Sequence, residues 1–246
     1  MKVLTVFAHP GSGSFCHAVL ERFDTGLREA GHTNEIVDLY AIGFDPVLRE
    51  HDHPNWMDAD APDDVLASMH LRERLLDGAG GPLRRFAMKR WLGDRDTSSI
   101  IRRLQERYRP KDVAIQQDKV KAANALAFIA PMYFVGFPAM LKGWIERVFS
   151  LGFAFGLAPE GWKGDIGARI PLLMHEKALI IQTTIFDKKA YDAGLRDAIR
   201  VLIDEYAMRY PGIKHVEREY FYAVHDADSA KLRGYLERAY QLGREF

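Results

Sequence analysis

The 246-residue chain carries 34 basic and 34 acidic side chains and no formal net charge, so no global field draws it to nucleic acid or to an anionic membrane. At 48 % hydrophobic residues it can bury a substantial core, and its length suits one elaborated domain over residues 1–246 better than two. The single cysteine, Cys16, excludes an intrachain disulfide and suits a reducing compartment; no apolar run reaches spanning length, and the expectation is a cytoplasmic protein.

Lys2–Ala8 reads as a first buried strand. A loop follows, His9-Pro10-Gly11-Ser12-Gly13-Ser14-Phe15, and then a helix on Phe15, Ala18, Val19, Phe23 and Leu27 with Gly31 as its stop. A strand that runs through a Gly/Ser loop into a helix suits an anion, because free N–H groups and the helix dipole face it and small side chains let it approach. Two other readings stay open. Gly11 and Gly13 with Asp38 at the end of the next strand could form a dinucleotide site, although Cys16 stands where a third glycine belongs. The loop could also be a plain connection, with His9 structural.

Glu35–Leu39 is a second short strand, followed by Tyr40–Pro46. Residues 50–123 show no strand pattern. Pro62, Asp63 and Asp64 open a helix bearing Val65, Leu66, Met69 and Leu76. Pro82 opens another with Leu83, Phe86 and Trp91, and Thr97-Ser98-Ser99 caps a third with Ile100, Ile101 and Leu104. A fourth helix runs from Lys111 to Ala123. His51, His53 and His70 with Asp52, Asp58, Asp60 and Asp63 match no zinc spacing, and no metal is expected. From Arg84 to Lys111 ten basic residues face three acidic ones. Solvated helix faces explain them best, ahead of a phosphate-rich cofactor, an acidic partner or nucleic acid.

Asn124–Ser150 carries the strongest signal. Ala125–Ala130 is an unbroken apolar run of strand length, ended by Pro131, which has no N–H for a ladder. Met132-Tyr133-Phe134-Val135-Gly136-Phe137 forms an aromatic loop, Pro138 suits a first helical position, and Met140, Leu141, Trp144, Ile145, Val148 and Phe149 recur at helical spacing. This is a βα turn at the carboxyl end of a strand, where open α/β sheets bind ligands.

The pattern from Pro131 through Gly136, Pro138-Ala139 and Leu141-Lys142-Gly143-Trp144 to Glu146-Arg147-Val148 resembles the central motif of the NAD(P)H:quinone oxidoreductase family, flavoproteins of flavodoxin-like fold. The resemblance covers most of the chain outside about Asp52–Thr97, a helical insertion relative to the family pattern. It implies that backbone groups of Pro131, Met132, Tyr133, Phe134, Val135 and Gly136 line the polar edge of a flavin, whose ring atoms change charge on reduction. His9, Ser14, Phe15 and Cys16 would hold its phosphate. Gly152–Gly156 resembles the family's aromatic-glycine segment, placing Phe155 and Gly156 at the substrate, with a phenylalanine where the family often has tyrosine.

Ala178–Thr184 is a fourth strand. The family's Thr-Thr-Gly-Gly survives here only as Thr183 and Thr184, with Ile185-Phe186 in place of the glycines. Tyr191 stands at the spacing of a tyrosine beside the flavin and is the candidate catalytic residue, set against a surface tyrosine. The family's later histidine is absent. Leu195, Ile199, Leu202, Ile203 and Tyr206 predict a helix, Val216–Val224 a fifth strand, and Ser229 begins a last helix. Five strands separated by helices imply a flavodoxin-like doubly wound parallel sheet of order 2-1-3-4-5, which brings the three loops into one crevice.

By resemblance the chain is a homodimeric flavin-dependent oxidoreductase. It would carry FAD, or failing that FMN, take hydride from NAD(P)H and reduce a quinone. The alternative is a flavin-binding regulatory subunit of a partner such as an ion-efflux system. A flavodoxin-type electron carrier fits poorly, since those are short and acidic.

Overall fold

The computed structural model describes residues 1–246. β1 (Lys2–Phe7), β2 (Thr33–Asp38), β3 (Ala125–Pro131), β4 (Lys177–Thr183) and β5 (His215–Phe221) form one parallel sheet in the order β2-β1-β3-β4-β5. This is the order expected from the sequence. All seven residues of β3 are buried, because it is the central strand and helices cover both faces. Alternation divides the core in two. Leu4, Val6, Leu126, Phe128 and Ile180 face the layer of α6 (Lys111–Ala122) and α7 (Ala139–Val148), where Leu141 and Trp144 pack. Val3, Phe7, Ala127, Ile129 and Leu179 face α1 (Phe15–Glu29) and α8 (Ser229–Arg244). The second layer is unusually close. A Cβ on Gly26 would lie 2.1 Å from the Tyr240 carbonyl oxygen, and one on Gly243 would lie 2.3 Å from that of Phe23.

Between β2 and β3 the chain is helical, as read from the sequence, with a short helical turn at Glu50–Trp56 and then α2 (Asp63–Ser68), α3 (Leu71–Asp77), α4 (Pro82–Leu92) and α5 (Thr97–Tyr108). The single helix expected after Pro62 is in fact two, broken at His70 (φ 45°). Leu66 and Leu71 both enter the cluster of Leu92, Ile100, Ile101 and Leu104. Five residues apart on one continuous helix they would point about 140° apart, so the break resets the face. The cap of α5 is also not Thr97–Ser99 but Asp96, whose carboxylate accepts from Ser99 N at 2.7 Å. This section is tied to the sheet by one buried ion pair. Arg147 at the end of α7 reaches Asp52 through two bonds of 3.1 Å, and its remaining nitrogen meets Asp112 at 2.5 Å and the Asp45 carbonyl at 2.7 Å. Asp52 is thereby committed to a guanidinium.

Two further differences lie after α7. Phe155–Leu157 and Arg169–Pro171 make a small antiparallel ribbon that the sequence reading lacks. The helix expected over Leu195–Tyr206 is a loosely wound stretch, Lys188–Arg209, with wide π-type turns and a kink at Gly194 (φ 116°). Beyond the kink its buried residues are Ile199, Asp204 and Met208, spaced more widely than an α-helical face allows. Arg218 of β5 holds Asp204 at 3.1 Å from its Nε and also donates to Gln182, which docks the stretch on the sheet.

Candidate functional site

Three loops leave the carboxyl edge of adjacent strands. Phe7 lies in register with Ile129 and Pro131 with Thr183, so His9–Ser14, Met132–Phe137 and Thr184–Asp187 follow one another along that edge. Backbone bonds carry the pairing into the loops, from Met132 N to Thr183 O at 2.8 Å and from Ala8 N to Ile129 O at 3.1 Å. The structure therefore brings together the loops expected to hold a cofactor.

In the first loop the Ser14 hydroxyl caps α1 by accepting from His17 N at 3.3 Å. The N–H groups of Phe15 and Cys16 have no partner in the fold, and a Cβ on Gly13 would meet nothing within 4 Å. This open helix N-terminus with free donors is what an anion requires. His9 is spent locally, its Nδ1 accepting from Gly11 N at 3.0 Å. The Cys16 thiol is buried against the Thr183 hydroxyl, and burial pushes its pKa up to about 12. It is an inert core group, so only its backbone faces the crevice. His17, which the sequence reading passed over, packs edge-on to Phe7 and lies 3.6 Å from Asp38.

The second loop is a tight hairpin. Tyr133 N donates to Gly136 O at 3.2 Å and Gly136 N to Tyr133 O at 3.1 Å. The two residues inside it, Phe134 (φ 45°) and Val135 (φ 65°), are left-handed. Turns of this kind favour Asn-Gly, and a β-branched residue there is a conformational outlier. Such strain costs on the order of 1–3 kcal/mol per residue and collects at ligand sites. It leaves the Phe134 and Val135 N–H groups without partners and Phe134 fully exposed. Tyr133 is half-exposed, and its phenol is held above the usual range by burial and then by Tyr40 and Cys16 nearby. Gly136 has open space above it. Pro131 is the last residue of β3, and Met132 is buried directly behind the hairpin.

Tyr191 lies deeper than the sequence reading implies. It is fully buried in a cluster with Met132, Ile199 and Tyr220, its ring 4.5 Å from that of Tyr220 and 5.0 Å from that of Tyr222. Its hydroxyl has no hydrogen-bond partner. Burial raises its pKa, opposed by the Thr184 hydroxyl, which lies beside it outside hydrogen-bond geometry, and by Arg218. The phenol thus stays protonated, a donor with nothing to donate to. Tyr220 shares this condition, with no partner for its hydroxyl and a pKa raised by burial to about 12. In the third loop Thr183 and Thr184 are buried, and Thr184 Oγ1 accepts from Phe186 N at 3.1 Å. Ile185 and Phe186 are exposed apolar residues at the rim of the third loop, as Phe134 and Val135 are at that of the second.

Beside the hairpin opens a cavity of about 560 Å³. Val135, Gly136 and Phe137 form one wall, and Phe155 also lines it. Phe155 is fixed there by edge contacts to Trp56 (6.2 Å) and Tyr210 (5.1 Å). Gly156 is not in the lining; it pairs with Ile170 in the small ribbon. Sequence reading missed Trp56, Leu202, Tyr206 and Tyr210, which complete the walls. Leu202 and Tyr206 stand four residues apart, as on one helix face; their spacing signalled a helix, but not that this face borders a cavity.

A model of a family described by its flavodoxin-like fold matches residues 1–242. Over 243 residues the chain is 24 % identical to an uncharacterized NAD(P)H oxidoreductase of Haemophilus influenzae, an alignment that covers 98 % of this chain and 93 % of that one. Over 227 residues it is 26 % identical to NAD(P)H dehydrogenase (quinone) 1 of Cavia porcellus, covering 91 % and 69 %. Among solved structures, an NAD(P)H:quinone oxidoreductase from Methanothermobacter marburgensis aligns with a TM-score of 0.71 at 26 % identity, covering all of this chain and 96 % of that one.

Proposed function

The chain belongs to the family of flavodoxin-like fold whose model spans it, and from that premise we propose that it is a flavin-dependent NAD(P)H:quinone oxidoreductase. The observation that carries the reading is the strained hairpin at Tyr133–Gly136 with its two unmatched N–H groups. It stands between an open helix N-terminus and an apolar cavity. These residues fit a flavin. Amide donors meet a polar ring edge, α1 meets a phosphate, and the buried Tyr191 hydroxyl is a donor lacking an acceptor. The relatives named for NAD(P)H and quinone chemistry point the same way.

When bound, a flavin supplies two-electron chemistry that lets hydride from a reduced nicotinamide reach a quinone in alternating half-reactions. The chain's own part is positioning. Phe134 and Val135 N–H groups orient the ring without moving, since the turn fixes them before any ligand arrives. Phe15 and Cys16 N–H groups take the anionic end. Tyr191, kept protonated by burial, supplies a proton donor behind Met132. Trp56, Phe137 and Phe155 exclude water and favour a flat apolar acceptor.

We assign FAD ahead of FMN, because the helical section between β2 and β3 adds surface beyond the phosphate loop. The chain works as a homodimer in the cytoplasm, in keeping with the exposed rim of Phe134, Ile185 and Phe186 and with its one buried thiol; no helix is long and apolar enough to cross a membrane. Residues 1–246 act as one domain with Asp52–Thr97 inserted. That same rim favours one second reading, a flavin-binding ancillary subunit that docks on a partner.

The test is direct. Purified protein should be yellow, release FAD on heating, and turn over menadione with a reduced nicotinamide. Protein that stays colourless after soaking in both FAD and FMN overturns the proposal. Bound flavin without turnover, together with capture of a partner, favours the ancillary reading.

A further inference from the structure

A second cavity, about 1120 Å³ and roughly twice the first, lies within the helical section. The Glu50–Trp56 turn, α3, α4 and α5 enclose it. Its floor is apolar, with Leu71, Met88, Trp91 and Leu104. Its rim carries the cations Arg74, Arg84 and Arg107 and, beside them, the imidazoles of His51 and His53, and Glu50 is the one acid that lines it.

These arginines differ from their neighbours in how they are used. Arg85 pairs with Asp77 at 3.3 Å, and Arg102 pairs with Asp60 at 2.5 Å. Arg72 donates to the Arg95 carbonyl, and Arg95 to the Trp91 carbonyl, each at 2.7 Å. Arg74, Arg84 and Arg107 have no carboxylate and no carbonyl; Arg107 only lies over the Tyr108 ring, 5.4 Å from its centroid. Three guanidiniums converge on one apolar-floored cavity without a counterion. Guanidinium groups match carboxylate, sulfonate and phosphate oxygens in a fixed fork geometry. Pockets that hold small molecules combine an apolar lining with a few converging polar groups. The wall nearest the sheet is rigid, because Asp52 in the Glu50–Trp56 turn is clamped by Arg147.

We propose that this cavity binds an amphipathic organic anion, its apolar body against Trp91 and Leu104 and its acidic head between Arg74, Arg84 and Arg107. The site is separate from the crevice at the strand ends and does not depend on the flavin reading.

The test uses the intact protein saturated with flavin and titrated with 8-anilinonaphthalene-1-sulfonate, with uncharged N-phenyl-1-naphthylamine as control. The sulfonate should bind at one site, at least about tenfold more tightly than the neutral probe, and accept energy from Trp91. Arg74→Glu and Arg107→Glu should each weaken it about tenfold without changing flavin content or circular dichroism. Ala87→Trp, which fills the cavity without touching the charges, should abolish it. Displacement by decanoate or by 2-naphthoate tells an aliphatic from an aromatic body, and either upholds the site. Equal binding of the neutral probe, indifference to both charge reversals, displacement by neither acid, or binding lost when flavin is present would each overturn the proposal.

Discussion

Tyr191 carries a hydroxyl that folding leaves unpaired, and this separates its effects on stability and on rate. An unsatisfied buried donor costs on the order of 1–3 kcal/mol. Tyr191→Phe should therefore stabilise the flavin-free protein by about 1 kcal/mol in urea denaturation, while lowering quinone reduction about tenfold with flavin still bound. An unchanged rate would remove Tyr191 from the chemistry. Val135 is the other residue whose conformation opposes its type. Val135→Gly should stabilise the protein by about 1 kcal/mol, since glycine adopts the left-handed region freely. A midpoint that does not rise would show the turn to be relaxed in solution. Neither residue's state was legible in the sequence. An aromatic loop bounded by Pro131 and Pro138 marks a ligand site, but the sign of φ at Phe134 and Val135 depends on a hairpin closed by Tyr133 and Gly136.

Among the elements, α7 holds the most at once. It starts just after the hairpin at Ala139 and ends at Val148, where Arg147 binds Asp52 and Asp112. Cutting one side of a buried pair leaves a bare charge in the interior, which costs more than deleting both sides. Arg147→Met should destabilise the protein by about 3 kcal/mol, and adding Asp52→Asn should recover part of that loss; a double variant no more stable than the single one would refute the pairing. His175 joins α6 to the start of β4 through Nε2 donating to the Val120 carbonyl at 2.9 Å. Burial holds its pKa below the ordinary 6.5. Above that value the folded and unfolded chains both carry it neutral, so it does not affect the pH dependence. As pH falls below it, the unfolded chain takes up a proton that the folded chain refuses, and stability declines until the lower folded pKa is reached. His175→Gln should flatten the difference between urea midpoints at about pH 7.5 and about pH 5.5; an undiminished slope would assign it to other groups. Sequence patterns located these elements but not their ends. Asp96 outcompetes Thr97–Ser99 as the cap of α5, and the break at His70 answers to packing of Leu66 and Leu71, which only the tertiary cluster dictates.

For the molecule as a whole, the sheet was readable because β1, β3 and β4 are short apolar runs and parallel sheets leave few topologies. The crevice followed from the order β2-β1-β3-β4-β5. The second cavity did not, since its lining comes from four segments that share no period, and its arginines look like any solvated helix face until their partners are traced. Within the layer opposite α6 and α7, the two helices close on each other at Gly26 and Gly243, joining the first helix to the last. Gly26→Ala should cost about 2 kcal/mol, because the added methyl meets backbone rather than a movable side chain; a neutral result would mean the helices part easily. The same strand order bears on how the chain must be made. β1 sits between β2 and β3, and β3 begins only at Ala125. A ribosome adding roughly 5–20 residues per second needs on the order of ten seconds to get there from Phe7. Throughout that interval the β3 edge of β1 is unpaired, and Leu4 and Val6, which face α6 and α7, are uncovered, so the nascent chain, rather than the finished protein, is the form most in need of a chaperone.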